Sequence, residues 1–591
     1  MQSFLAELKR RNVLRVAGVY LVAAWLITQV AGTVLPMFDA PAWAARSIVL
    51  LLAIFFVPVL VVSWLFELTP QGLKLDAKVS AAESIAPQTA RRLDRILLVV
   101  ATFAIVYFAI DKFMLAPRRE AALLAAADAS RDGVGDAHSI AVLPFLDLSQ
   151  AKDQEYFSDG LSEELLNLLA QLPQLRVIAR TSSFSFKGKE VDVATIARAL
   201  GVGNVLEGSV RKSGNTLRVT AQLIRASDSS HLWSQTFDRE LTDVFAMQDE
   251  IASAVVSALK VKLLPAQSIS NPYRSSNAEA YEHYLIGRQL NNNGTVEGWT
   301  EAREALHRAI ALDPDFAAAY AALGYAEGST SDLSESASER ETLILDAVAH
   351  AEKAMALAPD FSEGYVVRGY ARMTYKRDWD GARADFERAI ALSPSDAGAL
   401  VGHARLLATF DRLPEAIAES KKAIDVDPVN ALGWAQLGRY LNGSRRFAEA
   451  RAPLERAISL APAWGYPHYQ LGLTRLYLCD LDGAIEAFKK DDAGYGSTGI
   501  ALAAYKAGDM ATAQAALDET IAKYAQSSAF QIAEIYAWRN EKDKAFEWLD
   551  RAVAQDDGGL PAILIDPLLA NVRDDPRFAV VLKKLNLAPR T

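Results

Sequence analysis

Cysteine is almost missing from these 591 residues: Cys479 stands alone, which rules out an intramolecular disulfide and any cysteine-built metal centre. Histidine is scarce too. The seven histidines stand apart with no His-Glu-x-x-His pair, and His307, His350, His403 and His468 fall within helical repeats. A phosphate-cradling glycine loop is also lacking. The stretch GVGNVLEG, with Gly201, Gly203 and Gly208, has the wrong spacing and runs from helix into strand; FKGKE around Gly188 has no earlier glycine and no Ser or Thr after its lysine. Basic charge is in deficit. A net charge of −10 and an isoelectric point near 5.4 oppose the counterion release on which broad nucleic-acid binding depends. No nucleophile, base and oxyanion set can be assembled, and no metal or cofactor is expected.

Apolar residues are abundant and uneven in distribution. Mean hydropathy is +0.07, with the excess in the first 115 residues. Three stretches there have the length of membrane spans, about 16–38, 48–66 and 93–115, the last centred on Ile96 to Leu115. Lys9, Arg10, Arg11 and Arg15 precede the first, and Lys74, Lys78, Arg91, Arg92 and Arg95 lie between the second and third. By the positive-inside rule the amino terminus and that loop are cytoplasmic, and an odd number of spans places the body on the other side. Residues 116–137 read as a linker.

An α/β domain is expected over 138–263. SIAVLPF is a buried-strand pattern, Asp159 to Leu172 has helical spacing, RVIAR is a second strand and Val193 to Leu200 a second helix. A hairpin turns near Ser213 and Gly214, HLWSQTFDRE adds a strand, and Val244 to Leu263 forms a closing helix. SIAVLPFLDLS, EYFSDGLSEEL, RVIARTSSFSFKGK, VLEGSVRKSGNTLRVTAQLI and HLWSQTFDRE together resemble the TolB amino-terminal-like domain. FLAELKRRNVLRVAGVYLVAAWLITQVA and SWLFELTPQGLK look like the multi-span members of that group. The resemblance implies a bacterial envelope or regulatory protein without catalysis of its own. Its relatives often bear an adenylate-cyclase label, although no cyclase domain is recognisable here. A periplasmic body on an inner-membrane anchor is the corresponding expectation.

After a second linker, 264–277, the chain is periodic. Pro314, Pro359, Pro394, Pro428 and Pro462 are 45, 35, 34 and 34 residues apart, the period of stacked helix pairs. Small residues recur where the helices of a pair approach: Gly369 and Ala382, Gly438 and Ala450, Gly472 and Ala484. The pattern resembles the tetratricopeptide repeat, here over 278–555, with a polar insertion at Gly328 to Glu339 and a capping segment at 556–591. Trp434 is expected to be a buried anchor. The family's register places Tyr370, Arg405, Arg439 and Leu473 in one column of the concave face, with Tyr469 and Tyr477 beside it. Two arginines one repeat apart would there clamp an acidic segment of a peptide, unless they pair with neighbouring acids on the solenoid surface.

The fold expected is thus three membrane helices, a TolB-like α/β domain and an all-α repeat solenoid. The function expected is that of a non-catalytic scaffold or sensor for envelope assembly or signalling, bound to the bilayer and to protein or peptide partners but not to nucleic acid. The alternative is a transmembrane signalling component acting with a nucleotide cyclase or transcription regulator.

Overall fold

The computed structural model describes residues 136–259 and 273–587, apart from short interruptions, and scattered positions between 16 and 75. The chain divides into two compact units, 1–129 and 130–591.

In the first unit, β1 (Phe66–Thr69) pairs antiparallel with β2 (Gly72–Leu75). The register brings Thr69 opposite Gly72, so the two strands form a hairpin. The expectation of three membrane helices is corrected: among the described residues no helix is long and apolar enough to cross a membrane. Phe66, the last residue of the second expected span, opens a strand. Most of 16–38 and 48–66, all of 93–115 and the linker 116–135 lie outside the described residues. Apolar length by itself cannot separate a spanning helix from a buried one, and the periplasmic placement rested on counting such spans.

The second unit begins with a mixed sheet. Strands β3 (Ser139–Val142), β4 (Leu146–Asp147), β5 (Arg176–Val177), β6 (Asn204–Ser213), β7 (Thr216–Arg225) and β8 (His231–Glu240) run in the order β5-β3-β6-β7-β8, with β4 also beside β6. Pairings of β3 with β5 and β6 are parallel, and β6, β7 and β8 form an antiparallel meander. Helices α1 (Glu155–Ala170) and α4 (Val244–Ala258) bury Leu161, Leu165, Ile251 and Val255 with one face of the sheet. Helix α3 (Val193–Leu200) covers the other with Ile196 and Leu200. Its ends are marked in the sequence: Asp192 accepts from the Thr195 amide, and Gly201 takes a left-handed conformation at φ 64° that a side chain would strain. RVIAR is strand only at Arg176–Val177; Arg180 to Phe184 form the short helix α2.

The repeats follow as antiparallel helix pairs: α5 (Ala278–Asn292) with α6 (Val296–Leu312), α7 (Ala317–Ser331) with α8 (Ala337–Leu357), and α9 (Ser362–Thr374) with α10 (Trp379–Leu392). Next come α11 (Ala397–Thr409) with α12 (Leu413–Val426), α13 (Ala431–Gly443) with α14 (Phe447–Leu460), and α15 (Gly465–Tyr477) with α16 (Leu481–Phe488). The last are α17 (Tyr495–Ala507) with α18 (Met510–Tyr524), and α19 (Ala529–Trp538) with α20 (Lys542–Gln555). The small residues have a direct steric reason. Phe488 is fully buried between Gly472 and Gly499, and a Cβ on either would overlap its ring. Trp434 is not a fully buried anchor: it is half-buried, and its indole N–H donates to the Pro428 carbonyl at 2.9 Å.

The α/β domain and the repeats are not separate bodies. One apolar cluster runs from Ile140, Leu165 and Phe237 through Tyr284 to Phe316 and Phe361. A tail of two 3₁₀ turns (Leu560–Ala562 and Pro567–Val572) and α21 (Pro576–Lys584) packs on α19 and α20, closing the end of the array. It also reaches back along the solenoid. Ala562 and Ile565 join Leu407, Leu437 and Tyr440 in one cluster, and the Trp379 indole donates to the Leu585 carbonyl at 3.0 Å.

Candidate functional site

A cavity of about 330 Å³ lies on the first helices of the central repeats. The 34-residue interval between Arg405 on α11 and Arg439 on α13 puts both side chains in its lining. Gln436 and Tyr440 come from α13, Trp464 and Tyr466 from the start of α15, and Tyr495 from α17. The tail supplies the remaining wall with Gly558, Pro561, Ala562 and Ile565.

Its electrostatics are unusual for this molecule. Among the described residues neither Arg405 nor Arg439 makes an ion pair, and the lining includes no carboxylate. Arg368 on α9 shows the ordinary arrangement, meeting Asp385 at 2.7 Å, and Arg372 reaches the same carboxylate at 3.0 Å. Burial works against the charge of Arg439, yet its basicity is raised by the surrounding Tyr466 and Tyr440 and by Asp566. The Tyr440 and Tyr466 hydroxyls and the Gln436 carbonyl oxygen are buried with no hydrogen-bond partner among the described residues. Tyr440 as a whole is 1% exposed. Burial raises the pKa of both phenols, and that of Tyr495 to about 12, so all three are neutral near pH 7. Behind the cavity Tyr469 donates to Glu534 at 3.1 Å. Burial and the neighbouring Asp566 hold the Glu534 carboxyl well above the usual range.

Of the six residues expected to form a groove, the cavity collects Arg405 and Arg439. The Tyr370 hydroxyl donates to the Gly398 carbonyl at 3.0 Å, and its ring sits edge-on to Phe386. Tyr469 and Leu473 are buried in the core. Tyr477 stacks on Phe447 with centroids 4.4 Å apart. Sequence reasoning passed over Gln436, Tyr440, Trp464, Tyr466, Tyr495 and the tail. One signal was there to read: Leu432 and Tyr466 are 34 residues apart, as the two arginines are, and both line the cavity.

A second charged cluster joins the α/β domain to the array. Glu163 on α1 receives Arg180 at 3.0 Å and a two-pronged contact from Arg288 on α5, while Arg288 also meets Glu363 on α9 at 2.6 Å. Burial alone would raise the Glu163 pKa; the two guanidiniums outweigh it and hold the carboxyl below its usual value. Further along, Ser182 donates to Asp427 at 2.6 Å, and the Ala179 amide donates to the Val426 carbonyl at 2.7 Å. Among the described residues no group of His, Cys, Asp and Glu is placed to hold a metal ion.

Comparison with known proteins gives partial coverage. Residues 136–254 match the model for the second domain of HilA/YgeH-like transcriptional regulators; the motifs quoted above pointed to the TolB family over the same stretch. Residues 375–431 and 498–559 match the tetratricopeptide repeat, so the solenoid is an array of these repeats. A Rhizobium meliloti (strain 1021) protein named "Putative adenylate cyclase 3" is 43% identical over 186 residues, 31% of this chain and 32% of that protein. The chain thus spans about a third of that relative's length. Among solved structures, the type IV pilus biogenesis factor PilW is 19% identical, covering 36% of this chain and 96% of its own at a TM-score of 0.31. YrrB, described as a TPR protein with an unusual peptide-binding site, is 18% identical over 36% of this chain and 99% of its own, with a TM-score of 0.27. MamA is 26% identical over 26% of this chain and 97% of its own, with a TM-score of 0.24.

Proposed function

We propose that this protein is a non-catalytic signalling scaffold in which the repeat array binds a protein partner and the α/β domain passes that binding to a transcription regulator or a nucleotide cyclase. Tetratricopeptide repeats imply protein–protein interaction. The observation that carries the regulatory part is the junction: Arg288 ties α5 to Glu163 of α1 and Glu363 of α9 within a shared apolar core, so an array engaged by a partner moves with the α/β domain as one body. Support comes from the regulator-type match over 136–254 and from the name of the Rhizobium relative. The TolB-like motifs favour a second reading, a scaffold in envelope assembly.

Affinity capture with the full chain, followed by crosslinking and mass spectrometry, tests the proposal. The expected result is a cyclase or transcription regulator recovered with crosslinks to residues 278–555. Recovery of envelope-assembly proteins would favour the second reading, and absence of any crosslink to the array would end both.

A further inference from the structure

Within the array, inward-reaching arginines are ordinarily neutralised. Arg368 and Arg372 share Asp385, and Arg475 lies 3.9 Å from Glu486. Half-burying a guanidinium without a counter-charge costs desolvation energy with no return. Arg405 and Arg439 both do this in one cavity, whose lining has no carboxylate. Glu534 and Asp566 share hydrogen bonding and lie outside the lining, where Asp566 offsets part of the charge of Arg439 but leaves the second guanidinium unanswered. Positive charge is therefore left in excess at the cavity. The hydroxyls of Tyr440 and Tyr466 add neutral donors, buried and unpartnered among the described residues.

Size and wall chemistry narrow what fits. A volume of about 330 Å³ is near the lower end of the roughly 300–1,000 Å³ typical of small-molecule sites. Trp464, Tyr466 and Tyr495 form an aromatic wall, with Trp464 and Tyr466 centroids 5.6 Å apart and those of Tyr466 and Tyr495 6.0 Å apart. Pro561 and Ile565 of the tail give the cavity an aliphatic surface. Such walls suit a flat apolar body better than a free inorganic ion.

We propose that this cavity is a binding site for a small organic anion, a carboxylate or phosphate monoester carried on a planar apolar ring, whose oxyanion sits between Arg405 and Arg439. Guanidinium forks meet two oxygens of such a group at once, and the Tyr440 and Tyr466 hydroxyls donate to the oxygens that remain. The ring lies along Trp464, Tyr466 and Tyr495. Because the tail supplies one wall, occupancy also holds Gly558 to Ile565 against α11 and α13.

Isothermal titration of the full chain with benzoate, phenyl phosphate, inorganic phosphate, neutral benzamide and an acidic decapeptide tests this. Benzoate or phenyl phosphate should bind saturably and at least 10-fold more tightly than benzamide and inorganic phosphate; whichever binds better identifies the head group. Arg405→Gln and Arg439→Gln should each weaken that binding at least 10-fold without lowering the Tm of the unliganded protein. Arg439→Lys, which keeps charge but loses the fork, should fall between. Equal binding of benzamide, or unchanged binding by both glutamine variants, would overturn the proposal. Binding of the decapeptide with neither aromatic anion would overturn it as well, while leaving the scaffold reading in place.

Discussion

Two groups of arginines lie inside this unit, and they are built in opposite ways. At the junction Arg288 and Arg180 converge on Glu163, and Arg288 takes Glu363 as a second partner. At the cavity Arg405 and Arg439 have no carboxylate against them among the described residues, and phenol hydroxyls stand beside them unpartnered. Neutralised charge in the first case fixes the direction in which two structural parts meet. Unneutralised charge in the second adds nothing to the fold that an uncharged side chain would not add. The difference separates side chains that hold the molecule together from side chains kept for something that arrives from outside.

Substitutions at the two places should therefore differ in size. Arg288→Gln leaves Glu163 buried with half its counter-charge and should cost about 3–5 kcal/mol, read as a drop in urea midpoint that unfolds the α/β domain and first repeats together. A loss confined to one of them would show that the junction does not couple them. Next is Asp396, which caps α11 by accepting from the Ala399 amide and feels the charges of Glu363 and Arg288. Burial raises its carboxyl from 3.8 to about 6. The folded state thus holds this proton more tightly than the unfolded chain. Its contribution to stability is fully present below about pH 4 and lost as pH rises through about 6. Asp396→Asn keeps the cap and removes that loss, so the variant should gain on the order of 1–2 kcal/mol over wild type at pH 7.5 and almost nothing at pH 4. A difference independent of pH, measured by thermal unfolding at both, would contradict the assignment. Smallest of all, Tyr440→Phe removes a hydroxyl that has no partner among the described residues and should change stability by no more than about 0.5 kcal/mol in either direction, while weakening anion binding several-fold by titration.

The solenoid was legible because its repeat is enforced by contact. Phe488 needs Gly472 and Gly499, and the prolines at 359, 394, 428 and 462 fall 35, 34 and 34 residues apart, so spacing locates the central helices. Elements of the α/β domain were legible locally, as at Val193 to Leu200 and His231 to Glu240, which form the helix and strand expected of them. The column of Arg405 and Arg439 followed from the same arithmetic. What one repeat cannot reveal is what lies opposite it. The return of Ile565 onto Tyr440 is a contact across several repeats with no periodic signature, and it converts part of an expected open groove into a cavity. Burial of Tyr469 and Leu473 has the same origin, since the tail and α19 cover that stretch of the face. The apolar stretches of the first 115 residues misled for a different reason: length and hydropathy carry no information about what surrounds a helix.

That the cavity arginines are dispensable for folding, where the junction arginine is not, is the central prediction. Its most direct test is the unfolding free energy in urea at pH 7.5 of Arg288→Gln set beside that of the double variant Arg405→Gln with Arg439→Gln. A loss of about 3–5 kcal/mol for the first and a change within about 1 kcal/mol for the second is the predicted result. A double variant as unstable as Arg288→Gln would make Arg405 and Arg439 structural, and would contradict their assignment to a ligand.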